Sequence, residues 1–90
     1  MFVLGFGGDK INEYDIKPFH TCSVPVSGNF VVNSNCVIIS NATITGDLII
    51  QNNSTLKIPA GVTLIVNGDV LVVSLSGIYI VFGGTLINTS

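Results

Sequence analysis

Residues 45–66 read TGDLIIQNNSTLKIPAGVTLIV, and residues 67–88 read NGDVLVVSLSGIYIVFGGTLIN. Laid over each other without a gap, they pair Gly46 with Gly68, Asp47 with Asp69, Ser54 with Ser76, Ile58 with Ile80 and Gly61 with Gly83. Thr63, Leu64 and Ile65 fall on Thr85, Leu86 and Ile87, which makes eight identities in 22 positions. Most other pairs exchange one apolar or small residue for another. A fixed period of this length marks a chain that coils and stacks on itself. An earlier copy is shorter. Ser27-Gly28-Asn29-Phe30-Val31-Val32-Asn33 matches Thr45-Gly46-Asp47-Leu48-Ile49-Ile50-Gln51, and Asn41-Ala42-Thr43-Ile44 resembles Gly61-Val62-Thr63-Leu64. With about four residues fewer, this turn must have tighter corners.

Each copy holds three short runs rich in Val, Ile, Leu and Thr, which favour extended backbone. Asn52-Asn53, Pro59-Ala60-Gly61 and Asn67-Gly68 separate them as turns. No stretch shows a 3.6-residue apolar period, so essentially no helix is expected. The pattern predicts an all-β fold: a right-handed parallel β-helix, or β-solenoid, of about three turns of roughly 22 residues, three strands per turn. Successive turns would stack at about 4.8 Å. Asn67-Gly68 could instead turn a hairpin in an antiparallel sandwich, but a hairpin gives no reason for the period. The repeat divides the chain into an N-terminal arm or cap, 1–26, and a solenoid, 27–90.

Composition bounds the function. Only 9% of the 90 residues are charged, against roughly 25% in ordinary globular chains. From Pro18 to Ser90 the charged residues are Asp47, Lys57 and Asp69 alone. A net charge of −2 leaves no basic footprint for nucleic acid. Apolar runs are broken every few residues by Gly, Asn, Ser, Thr or Asp, so no transmembrane segment is expected. Met1 to Phe6 is apolar, but Gly7 to Lys10 end the run too early for a signal peptide.

Strand alternation sorts the side chains. Phe30, Val32, Leu48, Ile50, Val70 and Val72 should point inward in the first strands. Leu56, Ile58, Ile78 and Ile80 do so in the second, and Val62, Leu64, Val66 and Leu86 in the third. The outward set is unusually apolar: Val31, Ile49 and Leu71 should stack into one column, Ile65 and Ile87 into another. In-register apolar columns on a surface mark an interface. The predicted interface is therefore Val31, Ile49, Leu71, Ile65, Ile87 and Phe82. Solenoid ends expose unpaired strand edges unless something covers them, and the segment from Phe82 to Ser90 offers no evident cap. Residues 1–26 could cap one end or reach a neighbour, with Phe2, Val3, Leu4, Phe6, Ile16 and Phe19 as apolar anchors.

The remaining candidate sites are sparse. Cys22 and Cys36 have neither metal nor redox spacing. They form one candidate disulfide if the compartment is oxidising, and two buried thiols otherwise. Asp47 and Asp69 repeat in place, with Asn29 at the equivalent position below. They are weak candidates for a Ca²⁺-type cation, against the plainer role of turn caps accepting backbone N–H groups. Four Asn-x-Ser/Thr sequons, at Asn41, Asn52, Asn53 and Asn88, are candidate glycosylation sites. Thr43, Thr63 and Thr85 suggest an outward threonine column. His20 is the single histidine, arginine is absent, and no nucleophile–base or paired-carboxylate pattern stands out. No catalytic residue and no cofactor are expected.

The run from Leu48 to Leu64, LIIQNNSTLKIPAGVTL, followed by Gly83-Gly84-Thr85-Leu86, resembles the β-solenoid segment near the end of large secreted or surface proteins of archaea, ammonia-oxidisers among them. The resemblance covers roughly residues 22–88. It implies the solenoid architecture and an extracellular or cell-surface setting, and it carries no catalytic residues. The expectation is a non-catalytic structural protein that assembles with copies of itself into a filament or surface layer. The alternative is a surface-binding or adhesin module for a glycan or envelope component.

Overall fold

The computed structural model describes residues 2–5 and 19–90. Among them are eleven strands and no helix. Strands β1 (Phe2–Gly5) and β2 (His20–Thr21) precede three coil turns. The first turn is β3 (Phe30–Val32), β4 (Cys36–Val37) and β5 (Ala42–Ile44). The second is β6 (Leu48–Ile50), β7 (Thr55–Ile58) and β8 (Thr63–Val66). The third is β9 (Val70–Val72), β10 (Gly77–Ile80) and β11 (Thr85–Asn88). Like strands of successive turns pair in parallel, which gives three sheets: β3-β6-β9, β10-β7-β4-β2 and β1-β11-β8-β5. This is a parallel β-solenoid.

The register follows the repeat. Leu48 lies under Val70, Leu56 under Ile78 and Leu64 under Leu86, each 22 positions apart. The first turn departs from this. Phe30 pairs with Leu48, Cys36 with Leu56 and Ala42 with Leu64, so two corners of that turn each lose two residues. The register corrects the threonine column. Thr63 and Thr85 stack, but Thr43 lies against Ile65.

Three asparagines at a spacing of six manage the tight first turn. Asn29, Asn35 and Asn41 each stand just before a strand. Their side-chain oxygens accept the N–H of Asp47 (2.8 Å), Thr55 (2.9 Å) and Thr63 (2.8 Å) in the turn above. Each corner thus satisfies a backbone donor that has no strand partner. Asn35 is buried, so the loss of its acceptor cannot be repaired cheaply by water. Asn35→Ala is expected to cost about 1–3 kcal/mol, read as a lowered urea midpoint with an unchanged slope. A change below about 0.5 kcal/mol, the usual range for an incidental surface substitution, would remove this account of the corner.

The inward columns close into one core. Leu48, Ile50, Leu56, Ile58, Leu64 and Val66 are fully buried in the middle turn. Each such side chain contributes roughly 1.5–3 kcal/mol relative to exposure. Ile38 and Ile44 join them from the first turn, and Ser54 is the buried polar residue of the middle one. The top turn differs from expectation. Val70 is half-buried and Val72 is 47% exposed, although both occupy inward positions. No strand lies above β9 among the described residues, so the column ends there.

The segment preceding the repeat takes part in the coil. β2 pairs in parallel beneath β4, and Cys22 and Val24 pack on the core from below. β1 pairs antiparallel with β11, Phe2 opposite Asn88 and Gly5 opposite Thr85. This corrects the expectation of an uncapped upper end: one of its three edges is covered by the chain's own first strand. Of the proposed anchors, Phe6 and Ile16 lie outside the described residues.

Candidate assembly surfaces

Outward positions of β3, β6 and β9 form a continuous apolar column. Val31 faces Ile49, and Ile49 faces Leu71. Val31 and Leu71 are exposed and Ile49 is half-buried. A second column, Thr43, Ile65 and Ile87, runs up another sheet, with Ile65 and Ile87 half-buried and Val3 opposite Ile87 at the top. Phe82 stands exposed on the corner between β10 and β11. The six predicted interface residues therefore occupy two sheet faces and one corner, and the structure does not gather them into a single patch.

Sequence reasoning missed the upper end of the first sheet. Val72, Val73 and Leu75 are exposed beside Leu71, and Leu75 is 84% exposed. Leu75 also has φ +67°, a left-handed backbone that a branched aliphatic rarely adopts. One turn below, its repeat partner Asn53 has φ +57°, and asparagine tolerates that region. The alignment of Leu75 over a turn asparagine was the available signal.

The repeated acidic positions form a ladder. The Asn29 side chain accepts the Asp47 N–H, and the Asp47 carboxylate accepts the Asp69 N–H at 2.9 Å. This geometry makes Asn29 and Asp47 turn caps: one side-chain oxygen of each is committed to the backbone of the next turn. No cluster of three metal-ligating side chains occurs among the described residues.

Cys22 and Cys36 form a disulfide, with Cα atoms 5.0 Å apart. It ties the residue after β2 to β4. Lys57 lies on the outside of the same sheet, its Nζ 5.8 Å from the Phe19 ring centre and 5.9 Å from that of Tyr79. One cation thus bridges two aromatics on a face that carries no other charge among the described residues.

The sequon asparagines differ in their surroundings. Asn41, Asn52 and Asn53 are exposed and Asn88 is half-buried in β11. Asn52 donates its Nδ2, the atom a glycan would modify, to the Asn33 carbonyl at 3.0 Å. Asn41 accepts through Oδ1 from Thr63, and Asn88 through Oδ1 from Ser90. No helix among the described residues is long and apolar enough to cross a membrane.

No protein-family model matches the chain, and comparisons with curated proteins and with solved structures find no match either. What is shown is the architecture, a parallel β-solenoid.

Proposed function

We propose that this protein is a non-catalytic structural subunit that assembles with copies of itself into an extracellular filament or surface layer. Its ends join end to end, and its outward aliphatic columns pack side by side. The observation that carries this reading is the in-register outward column Val31–Ile49–Leu71, with Val72, Val73 and Leu75 exposed at the open upper end of the same sheet. An in-register apolar column exposed on a sheet face marks an interface, and Val31, Ile49 and Leu71 bring no charge to it. The disulfide fits an oxidising compartment, which supports a location outside the cytoplasm. The resemblance to archaeal surface solenoids points the same way.

Electron microscopy and light scattering on the purified protein test it. Fibres or sheets are expected from the wild type. Ile49→Lys sets a charge in the middle of the column, where packing would have to desolvate it. It is expected to abolish lateral bundling while leaving the monomer folded. A wild type that stays monodisperse at high concentration, or an Ile49→Lys variant that bundles normally, would overturn the reading. One observation favours a second reading, a surface module that binds a glycan or envelope component. Amides and hydroxyls of Asn33, Ser34, Asn52 and Asn53 ring an open recess at one corner. A stable monomer that retains polysaccharide would move the conclusion there.

A further inference from the structure

Among the described residues the three sheets hold unequal numbers of strands. Two contain four and the β3-β6-β9 sheet contains three, because β2 extends one sheet downward and β1 extends another upward. Set two copies head to tail along the coil axis. β10 of the lower copy then faces β2 of the upper one, and β1 faces β5. All four are edge strands, and both meetings reach ordinary strand spacing if the repeat is four layers. The third sheet then lacks one strand between β9 of the lower copy and β3 of the upper.

That vacancy is visible on the single chain. A recess of about 290 Å³ opens beneath β3, its walls including His20, Cys22, Phe30, Val32 and Ser34. It adjoins a second of about 420 Å³, where the longer corner at Asn52 and Asn53 overhangs the shortened corner at Asn33–Asn35. At the other end of the same corner column stands Leu75, strained and exposed. Backbone strain persists only where the surroundings hold it, and it clusters at functional positions. Among the described residues, neither the corner 73–76 nor the walls of either recess contain an Asp, Glu, Lys or Arg. Apolar burial there meets no stranded charge.

We infer that copies of this chain stack head to tail with a four-layer repeat, and that Leu75 of one copy fills the recess beneath β3 of the next. The inference rests on the self-assembly reading and names its end-to-end contact. β2 and β1 are then not obstacles to stacking: they are the strands on which the neighbour's sheets continue.

A benzophenone amino acid at position 75, in a mixture of isotope-labelled and unlabelled protein, reads the contact directly. Irradiated filaments are expected to yield mixed-isotope cross-links from position 75 to residues 20–36. The filament is expected to rise about 19 Å per subunit, four strand layers at about 4.8 Å each. Leu75→Asn keeps a residue suited to the left-handed backbone and removes the knob. It should leave the monomer at least as stable and raise the critical concentration for assembly by roughly tenfold or more. Cross-links from position 75 to itself or to the sheet flanks, a rise near three layers (about 14 Å), or normal assembly of Leu75→Asn would each overturn the contact while leaving self-assembly intact. A wild type that forms no polymer overturns both.

Discussion

Gly46→Ala is expected to cost about 3 kcal/mol or more, at the upper end of the range for overpacking a rigid site. The reason lies in how closely the turns approach at one corner. Gly28, Gly46 and Gly68 stack, with the Gly46 N–H donating to the Gly28 carbonyl at 2.9 Å and the Gly68 N–H to the Gly46 carbonyl at 2.8 Å. A Cβ on Gly46 would sit 2.7 Å from the Gly28 carbonyl carbon, and one on Gly68 would sit 2.6 Å from that of Gly46. Those atoms are backbone, fixed by hydrogen bonds on both sides, and cannot rotate away as a side chain would. The Asn29 and Asp47 side chains crowd the same two positions, so the added methyl would also displace the caps that accept the Asp47 and Asp69 N–H groups. A domain of this size holds only about 5–15 kcal/mol in total. The substitution should therefore remove a large part of it. Urea unfolding followed by circular dichroism measures the change. Gly77→Ala is the control, since a Cβ there meets no atom within 4 Å and its φ lies outside the left-handed region. Equal effects at Gly46 and Gly77 would show that the close approach is not what the glycine serves.

The same corner explains what could be read in advance. The Gly-Asp pairs at 46–47 and 68–69 fix the period, and from 45 to 88 that period gives every strand pairing of the upper two turns. Alternation then places the core of the middle turn, while Val70, Val72 and Ile78 in the top turn stay partly or largely exposed because of what lies above them and not because of their own identity, and Cys36, Ile38 and Ile44 of the first turn join the core outside the expected inward set. The first turn was harder. Pairing Thr43 with Thr63 and pairing Thr43 with Ile65 differ by two residues, and a shift of two leaves every side chain on the same face. Hydrophobic alternation cannot detect such a slip. What decides it is corner length, through Asn35 and Asn41 accepting the N–H groups of Thr55 and Thr63. β1 was out of reach for a related reason. Its pairing with β11 is antiparallel and belongs to no repeat, so no second copy exists against which to align it. The recess under β3 is a difference in corner length and strand number, and such differences appear only once the chain is coiled.

Loss of the Cys22–Cys36 bond should be the other large perturbation, about 3 kcal/mol for a loop of this size in the chain-entropy account. The bond closes a segment separated by 14 positions, and that segment contains β3, the lowest strand of its sheet. Without it, β2 is held by few interactions. Its two residues pair with Cys36 and Val37, His20 donates its N–H to the Asn35 carbonyl at 3.2 Å, and Cys22 just beyond it donates to the Val37 carbonyl at 2.9 Å. His20 and Thr21 are exposed, and a net hydrogen bond contributes only about 0.5–1.5 kcal/mol. Reduction should therefore act in two ways. It lowers global stability, shifting the melting temperature by on the order of 10–20 °C for a chain of this length. It also frees the bottom layer first, because β2 and the residues packed beneath Phe30 and Cys36 have little else to hold them. Hydrogen exchange on the reduced protein, under conditions that keep it folded, separates the two effects. Amides of His20, Cys22 and Phe30 should lose protection while those of Ile50, Ile58 and Val66 in the middle turn keep theirs. Uniform loss across all three turns would mean the coil unfolds as one unit and the bond staples no separable layer. An unchanged melting temperature would mean that packing beneath β3 and β4 already closes the end without it.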